Sequence, residues 1–355
     1  MDNPFSNIQT ILPAKQLVEV VFKKAMKSMH HGGDIGITPV TRARRLESKR
    51  VEALALLFRE RLTKITKDFP NIDSLPQFYS EMVDITVGID ELRKILGSLT
   101  GTTRTIWKIH KEHKAQIWNA APLKARMERK AAFSRCKSVV LQLDQRLEQL
   151  EAIRGNLQSL PAFDFSNPRL VVAGFPNVGK SSFIRCVTRA TPEVANYPFT
   201  TKAVKVGQYS GQGEIKYLKC QVIDTPGLLH GQDEIKNEIE IRALAAIKSL
   251  PTMILFLLDP TQIDDLDSQL LLLNGLKKEY PSTAFIVAIN KIDLSDPLSL
   301  DNLERMVTER CNMRVFGRFS AINSDETHQV MQTIALILFG KKRLITEDER
   351  SKVNV

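Results

Sequence analysis

Gly174-Phe175-Pro176-Asn177-Val178-Gly179-Lys180-Ser181 decides how the second half of this chain is read. The stretch matches G-x-x-x-x-G-K-[ST], follows the apolar run Leu170–Ala173, and opens a helical stretch at Lys180. A phosphate loop requires that setting. Its glycines let the backbone wrap closely, so that successive N–H groups and a helix N-terminus point at negative charge. In such a loop Lys180 contacts β- and γ-phosphates, the Ser181 hydroxyl ligates Mg²⁺, and Ser182 extends the binding segment.

Two motifs downstream refine this. Asp224-Thr225-Pro226-Gly227 closes the run Leu218–Ile223, where Asp224 can hold the metal through a water and the Gly227 amide can sense the γ-phosphate. Asn290-Lys291-Ile292-Asp293 follows the run Phe285–Ile289. A carboxylate at Asp293 accepts hydrogen bonds from both the ring N1–H and the exocyclic amine of guanine, a paired donor edge that adenine lacks. Asn290 is expected on the other edge of the base, with the Lys291 stem over the ring face. Ser320-Ala321-Ile322 would bring a backbone amide near the guanine O6. The ligand implied is GTP or GDP with Mg²⁺.

Around these motifs, the runs Val204–Tyr209, Leu218–Ile223, Met253–Leu258, Phe285–Ile289 and Val315–Ser320 alternate with helical stretches. The alternation predicts an α/β P-loop domain, a mostly parallel sheet with helices on both faces, over residues 164–342. Residues 343–355 read as a flexible tail. Residues 1–163 read as an all-α helical bundle. Val51, Leu54, Phe58, Leu62 and Ile65 keep helical spacing, as do Phe78, Met82, Ile85, Ile89, Leu92, Leu96 and Leu99. Cys136, Val140, Leu143, Leu147 and Leu150 place a last long helix, and Gly32-Gly33, Pro70, Gly101 and Pro122 are expected to separate the helices. Leu160–Pro168 is polar and proline-punctuated, as a linker is.

Charge separates the halves further. The net charge is +10, but residues 1–165 hold 27 Lys+Arg against 18 Asp+Glu, a balance of +9. The remaining 23 and 22 nearly cancel. A polyanionic partner is therefore expected to meet the first half. From Arg104 to Lys137 there are only two acids, Glu112 and Glu128. Arg104, Lys108 and Lys111 share one helical face there, and Lys124, Arg126, Arg129 and Lys130 form a second cluster. Phosphate contacts to RNA are the natural cause, while Trp107 and Trp118 suit core packing better. Four scattered cysteines without C-x-x-C pairing imply a reducing, cytoplasmic setting. No apolar run is long enough for a membrane span, and nothing suggests more than a monomer.

The ordered set GFPNVGKS, PFTT, DTPG, NKID and SA resembles that of the translation-factor-like GTPases. Asn196-Tyr197-Pro198-Phe199-Thr200-Thr201-Lys202 is similar to the first switch of the Obg and Nog branches. Either threonine can be the Mg²⁺ and γ-phosphate ligand, and that branch's pattern points to Thr201. A helical region of this length ahead of the G domain, with the basic segment Thr41-Arg42-Ala43-Arg44-Arg45, resembles the Nog family in its compact archaeal form, as does Asn237-Glu238-Ile239-Glu240. Obg proteins begin instead with a glycine-rich β domain, which the 17 glycines of this chain could not build.

The resemblance implies a GTPase that assists assembly of the large ribosomal subunit, with precursor rRNA and ribosomal proteins as partners. Arg42, Arg44 and Arg45 join the RNA-facing set. Lys180, Thr201 and Gly227 are the expected catalytic groups, and Ser181, Thr201 and Asp224 the metal ligands. Leu228 follows the D-x-x-G motif where many GTPases carry a water-orienting Gln, which implies slow intrinsic hydrolysis. An Asn at the Asn177 position ligates K⁺ in related G domains. Two other readings are open: a signalling-type switch with a protein effector, and a nucleotide-stabilised RNA-binding scaffold with negligible turnover.

Overall fold

The computed structural model describes residues 3–27, 37–188, 193–196, 203–211, 216–224 and 250–340. The chain divides into two compact units. One comprises Pro4–Leu75 and Val83–Gln158. The other takes in Asn3, Pro76–Met82 and the residues from Ser159 onward.

The first unit is built on α1 (Ala14–Lys27), α2 (Pro39–Asp68), α4 (Ile89–Trp118), α5 (Pro122–Leu141) and α6 (Asp144–Gln158), together with the end of α3 (Gln77–Thr86). Thr38 caps α2 by accepting a hydrogen bond from the Thr41 N–H at 3.2 Å, and Pro39 presets the first turn. Buried stripes of Val51, Leu54, Phe58 and Leu62 on α2 and of Leu92, Ile95, Leu99, Ile106 and Ile109 on α4 form the core.

Here three expectations are corrected. The Phe78–Leu99 stripe spans two helices, because Gly88 adopts φ 79° between α3 and α4. Gly101, expected to break the chain, lies inside α4. An interior glycine costs about 1 kcal/mol relative to alanine. The apolar stripe stays in phase across Gly101, and its burial outweighs that cost. Likewise the Cys136–Leu150 stripe is shared by α5 and α6.

The second unit is a seven-stranded sheet in the order β2-β3-β4-β1-β5-β6-β7. Its strands are β1 (Arg169–Gly174), β2 (Glu193–Asn196), β3 (Ala203–Ser210), β4 (Lys219–Asp224), β5 (Met253–Leu258), β6 (Ala284–Ile289) and β7 (Val315–Arg318). β3 runs antiparallel to β2 and β4, and the other pairings are parallel. β5 is buried along its whole length, which suits its unbroken apolar sequence. Among the described residues four helices accompany the sheet: α7 (Lys180–Val187), α8 (Leu266–Glu279), α9 (Pro297–Cys311) and α10 (Ser324–Leu338). This is the α/β class expected, with a helical unit ahead of it.

The stretch Leu160–Pro168 is pinned rather than loose. The Tyr79 hydroxyl donates to the Pro161 carbonyl and accepts from the Phe163 N–H, both at 3.0 Å. Burial pushes that hydroxyl's pKa up to about 12. Asn3 Nδ2 donates to the Leu160 carbonyl, and the buried Gln221 side chain donates to the Ala162 carbonyl and accepts from the Asp164 N–H. Phe78 and Phe163 stack edge to face, and Arg169 covers the Phe165 ring at 4.6 Å. Among the described residues no helix is long and apolar enough to cross a membrane.

Candidate nucleotide site

β1 pairs with β4 on one side and β5 on the other, so the carboxyl end of β1 is a switch point in strand order, where open α/β sheets bind ligands. The phosphate loop leaves the sheet there. Gly174 takes φ 142° and Gly179 takes φ 97°, and side chains at either place would collide with neighbours. A Cβ on Gly174 would lie 2.5 Å from the Leu257 carbonyl oxygen, and one on Gly179 would lie 2.2 Å from Asn290 Nδ2. Asn177 also holds a left-handed conformation, which Asn tolerates better than most side chains.

Lys180, opening α7, donates from Nζ to the carbonyls of Gly174 and Phe175 at 2.7 and 2.6 Å. Burial lowers its pKa, and the Asp224 carboxylate works against that shift. The loop thus holds a half-buried ammonium against two backbone oxygens, where it can exchange them for phosphate oxygens.

Ser181 Oγ donates to Asp224 Oδ2 at 2.9 Å. Asp224 is fully buried, and its Oδ1 has no hydrogen-bond partner among the described residues. A buried unpaired carboxylate oxygen is costly unless a cation or donor meets it. A hydroxyl and a carboxylate beside a phosphate loop suit Mg²⁺, which prefers oxygen ligands and takes few from the protein. Ser181 and Asp224 fit that ion.

The third motif also braces the loops around it. Asn290 is buried, with Nδ2 donating to the Val178 carbonyl and Oδ1 accepting from the Ala321 N–H, each at 2.8 Å. Its amide ties the phosphate loop to the Ser320–Ile322 segment. The residue thus positions two loops, and the second N–H of Nδ2 leaves a donor for the other edge of a base.

Lys291 sits at φ 60° with Nζ 2.6 Å from Asp259 Oδ2. Asp259 is fully buried, also accepts from the Thr261 N–H and hydroxyl, and its backbone is bracketed by the Gln269 side chain. It fixes Lys291, and no sequence motif flagged it. The only signal is its place directly after the buried run of β5. Asp293 is exposed. Ser320 is held by the cap of α10: Asn323 accepts from the Asp325 and Glu326 N–H groups, and Glu326 accepts from the Ser320 N–H at 2.9 Å. Ile322 stands exposed beside them.

Phe199, Thr200, Thr201, Thr225, Pro226, Gly227, Leu228 and Asn237–Glu240 lie outside the described residues. Of the RNA-facing set, Arg42, Arg104, Lys108, Lys111, Lys124, Arg126 and Lys130 are exposed, and Arg44 and Arg45 are half-buried. Arg44 Nε donates to the Ala120 carbonyl at 2.7 Å. Arg129 pairs with the buried Glu47 at 2.6 Å, covers the Phe133 ring, and has a side chain only 12% exposed. Arg129 therefore serves inside the bundle. Trp107 is half-buried against His110, whereas Trp118 is exposed.

Residues 5–164 match the family model described as NOG1 N-terminal helical domain, and residues 169–291 match that described as 50S ribosome-binding GTPase. An uncharacterized protein of Methanocaldococcus jannaschii is 34% identical, over 83% of this chain and 82% of its own length. Nucleolar GTP-binding protein 1 of Drosophila melanogaster is 31% identical over 85% of this chain, and that of Saccharomyces cerevisiae is 28% identical over 87%. The chain spans under half the length of these two nucleolar relatives, 46% and 47%. Among solved structures, the G domain of the T. maritima FeoB iron transporter aligns with 49% of this chain and 98% of its own at 20% identity and a TM-score of 0.36.

Proposed function

This chain belongs to the NOG1 family of GTP-binding proteins, and from that premise we propose that it is a slow GTP-hydrolysing assembly factor for the large ribosomal subunit. In this reading residues 164–342 bind GTP and residues 1–163 meet precursor rRNA and its ribosomal proteins. The observation that carries the RNA half is a set of exposed cations without acids. Among the described residues, Arg104, Lys108, Lys111, Lys124, Arg126 and Lys130 are exposed and have neither an ion pair nor a hydrogen bond. Most charged side chains elsewhere on a protein surface mix signs, and unmatched cations favour phosphate contacts.

For the nucleotide half, Lys180 neutralises β- and γ-phosphate charge, and Asp293 accepts the two guanine donors. Ser181 and Asp224 would hold Mg²⁺, which shields the phosphate charge when bound, and Thr201 completes the set. The Gly227 amide reads the γ-phosphate. Leu228 cannot orient water, so turnover depends on another group; K⁺ at Asn177 is the candidate. Equal turnover in potassium and sodium buffers would remove that part. GTP orders the switch segments and hydrolysis releases them, so affinity for RNA follows the nucleotide. Four cysteines without a disulfide among the described residues suit a reducing cytoplasm.

The test is co-sedimentation with large-subunit precursors, in a non-hydrolysable GTP analogue and in GDP, across a salt series. Salt-sensitive association that favours the GTP state is expected. Association that ignores salt and nucleotide would sink the proposal and favour a switch with a protein effector.

A further inference from the structure

Helix α5 departs from the pattern of its neighbours. It buries Ala125, Ala132, Phe133, Cys136 and Val140, yet Leu123 and Met127 stand 73% and 62% exposed on it. Arg126 and Lys130 share that face, because steps of three and four residues bring side chains together along a helix. With Leu46, Glu47 and Arg50 of α2, and with Arg129, these residues line a hollow of about 500 Å³. That lies within the range of small-ligand sites, ~300–1,000 Å³.

Charge in this hollow is unbalanced. Arg50, Arg126, Arg129 and Lys130 meet a single carboxylate, Glu47. Glu47 is buried and already accepts from Arg129 Nε at 2.6 Å and from Arg50 Nη1 at 3.2 Å. Among the described residues Arg126 and Lys130 have no ion pair and no hydrogen bond, and the buried Arg50 Nε has no hydrogen-bond partner. Like charges converging on a concave surface raise its potential, and an unmet buried N–H of a cation is costly. An entering anion relieves both. Leu123 and Met127 argue against a bare anion, since they offer apolar surface beside the cations.

We propose that this hollow holds one nucleotide of single-stranded RNA, its phosphate on Arg50, Arg126 and Lys130 and its base or ribose on Leu123 and Met127. The proposal rests on the RNA-facing reading of the helical half and deepens it by naming a site. It also names the kind of RNA, because a base stacked in a duplex cannot turn a face onto Leu123 and Met127.

The test uses the full chain and a fluorescently labelled short oligouridylate, with duplex RNA as comparator, by anisotropy across a salt series. The oligouridylate should bind more tightly than the duplex. Arg126→Gln with Lys130→Gln should lower the slope of log Kd against log salt by about 1.4, two contacts at ~0.7 each on a single strand. Leu123→Ser with Met127→Ser should weaken binding several-fold and leave the slope unchanged. All four side chains are exposed, so thermal melting should confirm that each variant folds. If the Leu123/Met127 pair has no effect, the site is only a phosphate patch and the hollow is overturned. If binding falls with Lys108→Gln and Lys111→Gln but ignores both hollow variants, the RNA reading stands and the hollow falls. If no RNA binds, both fall, and an acidic protein segment becomes the occupant to seek.

Discussion

The nucleotide site and the basic face of the bundle treat their polar groups in opposite ways. In the site, Lys180, Ser181, Asn290, Lys291 and Ser320 are each bonded to protein, with distances between 2.6 and 2.9 Å. These bonds fix the side chains from within the chain, and groups so fixed need less ordering on binding. On the bundle, Arg104, Lys108, Lys111 and Lys130 meet no acid among the described residues. Preorganisation gives a site discrimination between bases, whereas unmatched charge gives attraction that salt weakens.

The largest expected effect tests discrimination. Asp293→Asn replaces a pure acceptor by an amide that also donates, so GDP affinity should fall by about 10³-fold or more, with xanthosine diphosphate now preferred. Fluorescent-nucleotide titration measures this. An unchanged preference for guanine would mean that Asp293 does not face the base.

Asn290→Ala is the sharper test of preorganisation. Two backbone groups lose a buried partner, and a loss of about 2–3 kcal/mol in unfolding stability is expected, alongside faster GDP release. Denaturant titration without nucleotide reads the first quantity. Should stability stay constant while guanine affinity collapses, Asn290 acts on the base and not through the two loops it bridges.

A smaller effect is expected at Asp259. In Asp259→Asn the Thr261 contacts can persist, but Lys291 loses its carboxylate. GTP affinity should drop about tenfold, near 1.4 kcal/mol, with adenine still rejected. Isothermal titration would show whether the residue acts through Lys291. A loss of base selectivity would instead make Asp259 a direct specificity element.

The smallest effect belongs to the bundle's interior. His110 is buried, and neither ring nitrogen has a hydrogen-bond partner among the described residues. Burial lowers its pKa below the ordinary 6.5, with Lys114 and Lys111 lowering it further and Glu52 opposing them. The unfolded chain therefore takes up a proton first as pH falls. His110 contributes nothing above that ordinary pKa, and the fold loses stability as pH drops below it. His110→Leu should stabilise the protein by about 1 kcal/mol near neutrality and flatten the decline between about pH 7 and 5. Chemical denaturation at several pH values checks both, and an unchanged pH profile would shift the acid sensitivity to another group.

Several of these points were open to reading in one dimension and others were not. The phosphate loop was legible because its backbone needs glycines at fixed spacing, and Gly174 and Gly179 take φ 142° and 97°. Mostly parallel strands followed from short apolar runs between helical stretches. Gly88 and Gly101 look alike in sequence, but only Gly88 turns the chain, since packing keeps the stripe of α4 continuous through Gly101. Arg129 looked like one more surface cation until Glu47, far away in sequence, took its charge into the bundle. Leu160–Pro168 has a linker's composition, and Tyr79, Asn3 and Gln221 nevertheless pin it.

What the amino-acid sequence by itself determined is the class of ligand and the order of elements. Phosphate wrapping, guanine recognition and helical burial are all encoded within a few residues of one another, so local spacing is enough. Tertiary structure alone decided which polar groups are available to a ligand. Asn290 is tied to Val178 and Ala321, Arg129 is taken up by Glu47, and Lys291 is fixed by Asp259. Availability depends on whether a distant partner has already met a group's charge or hydrogen bond, and only the folded chain brings those partners together.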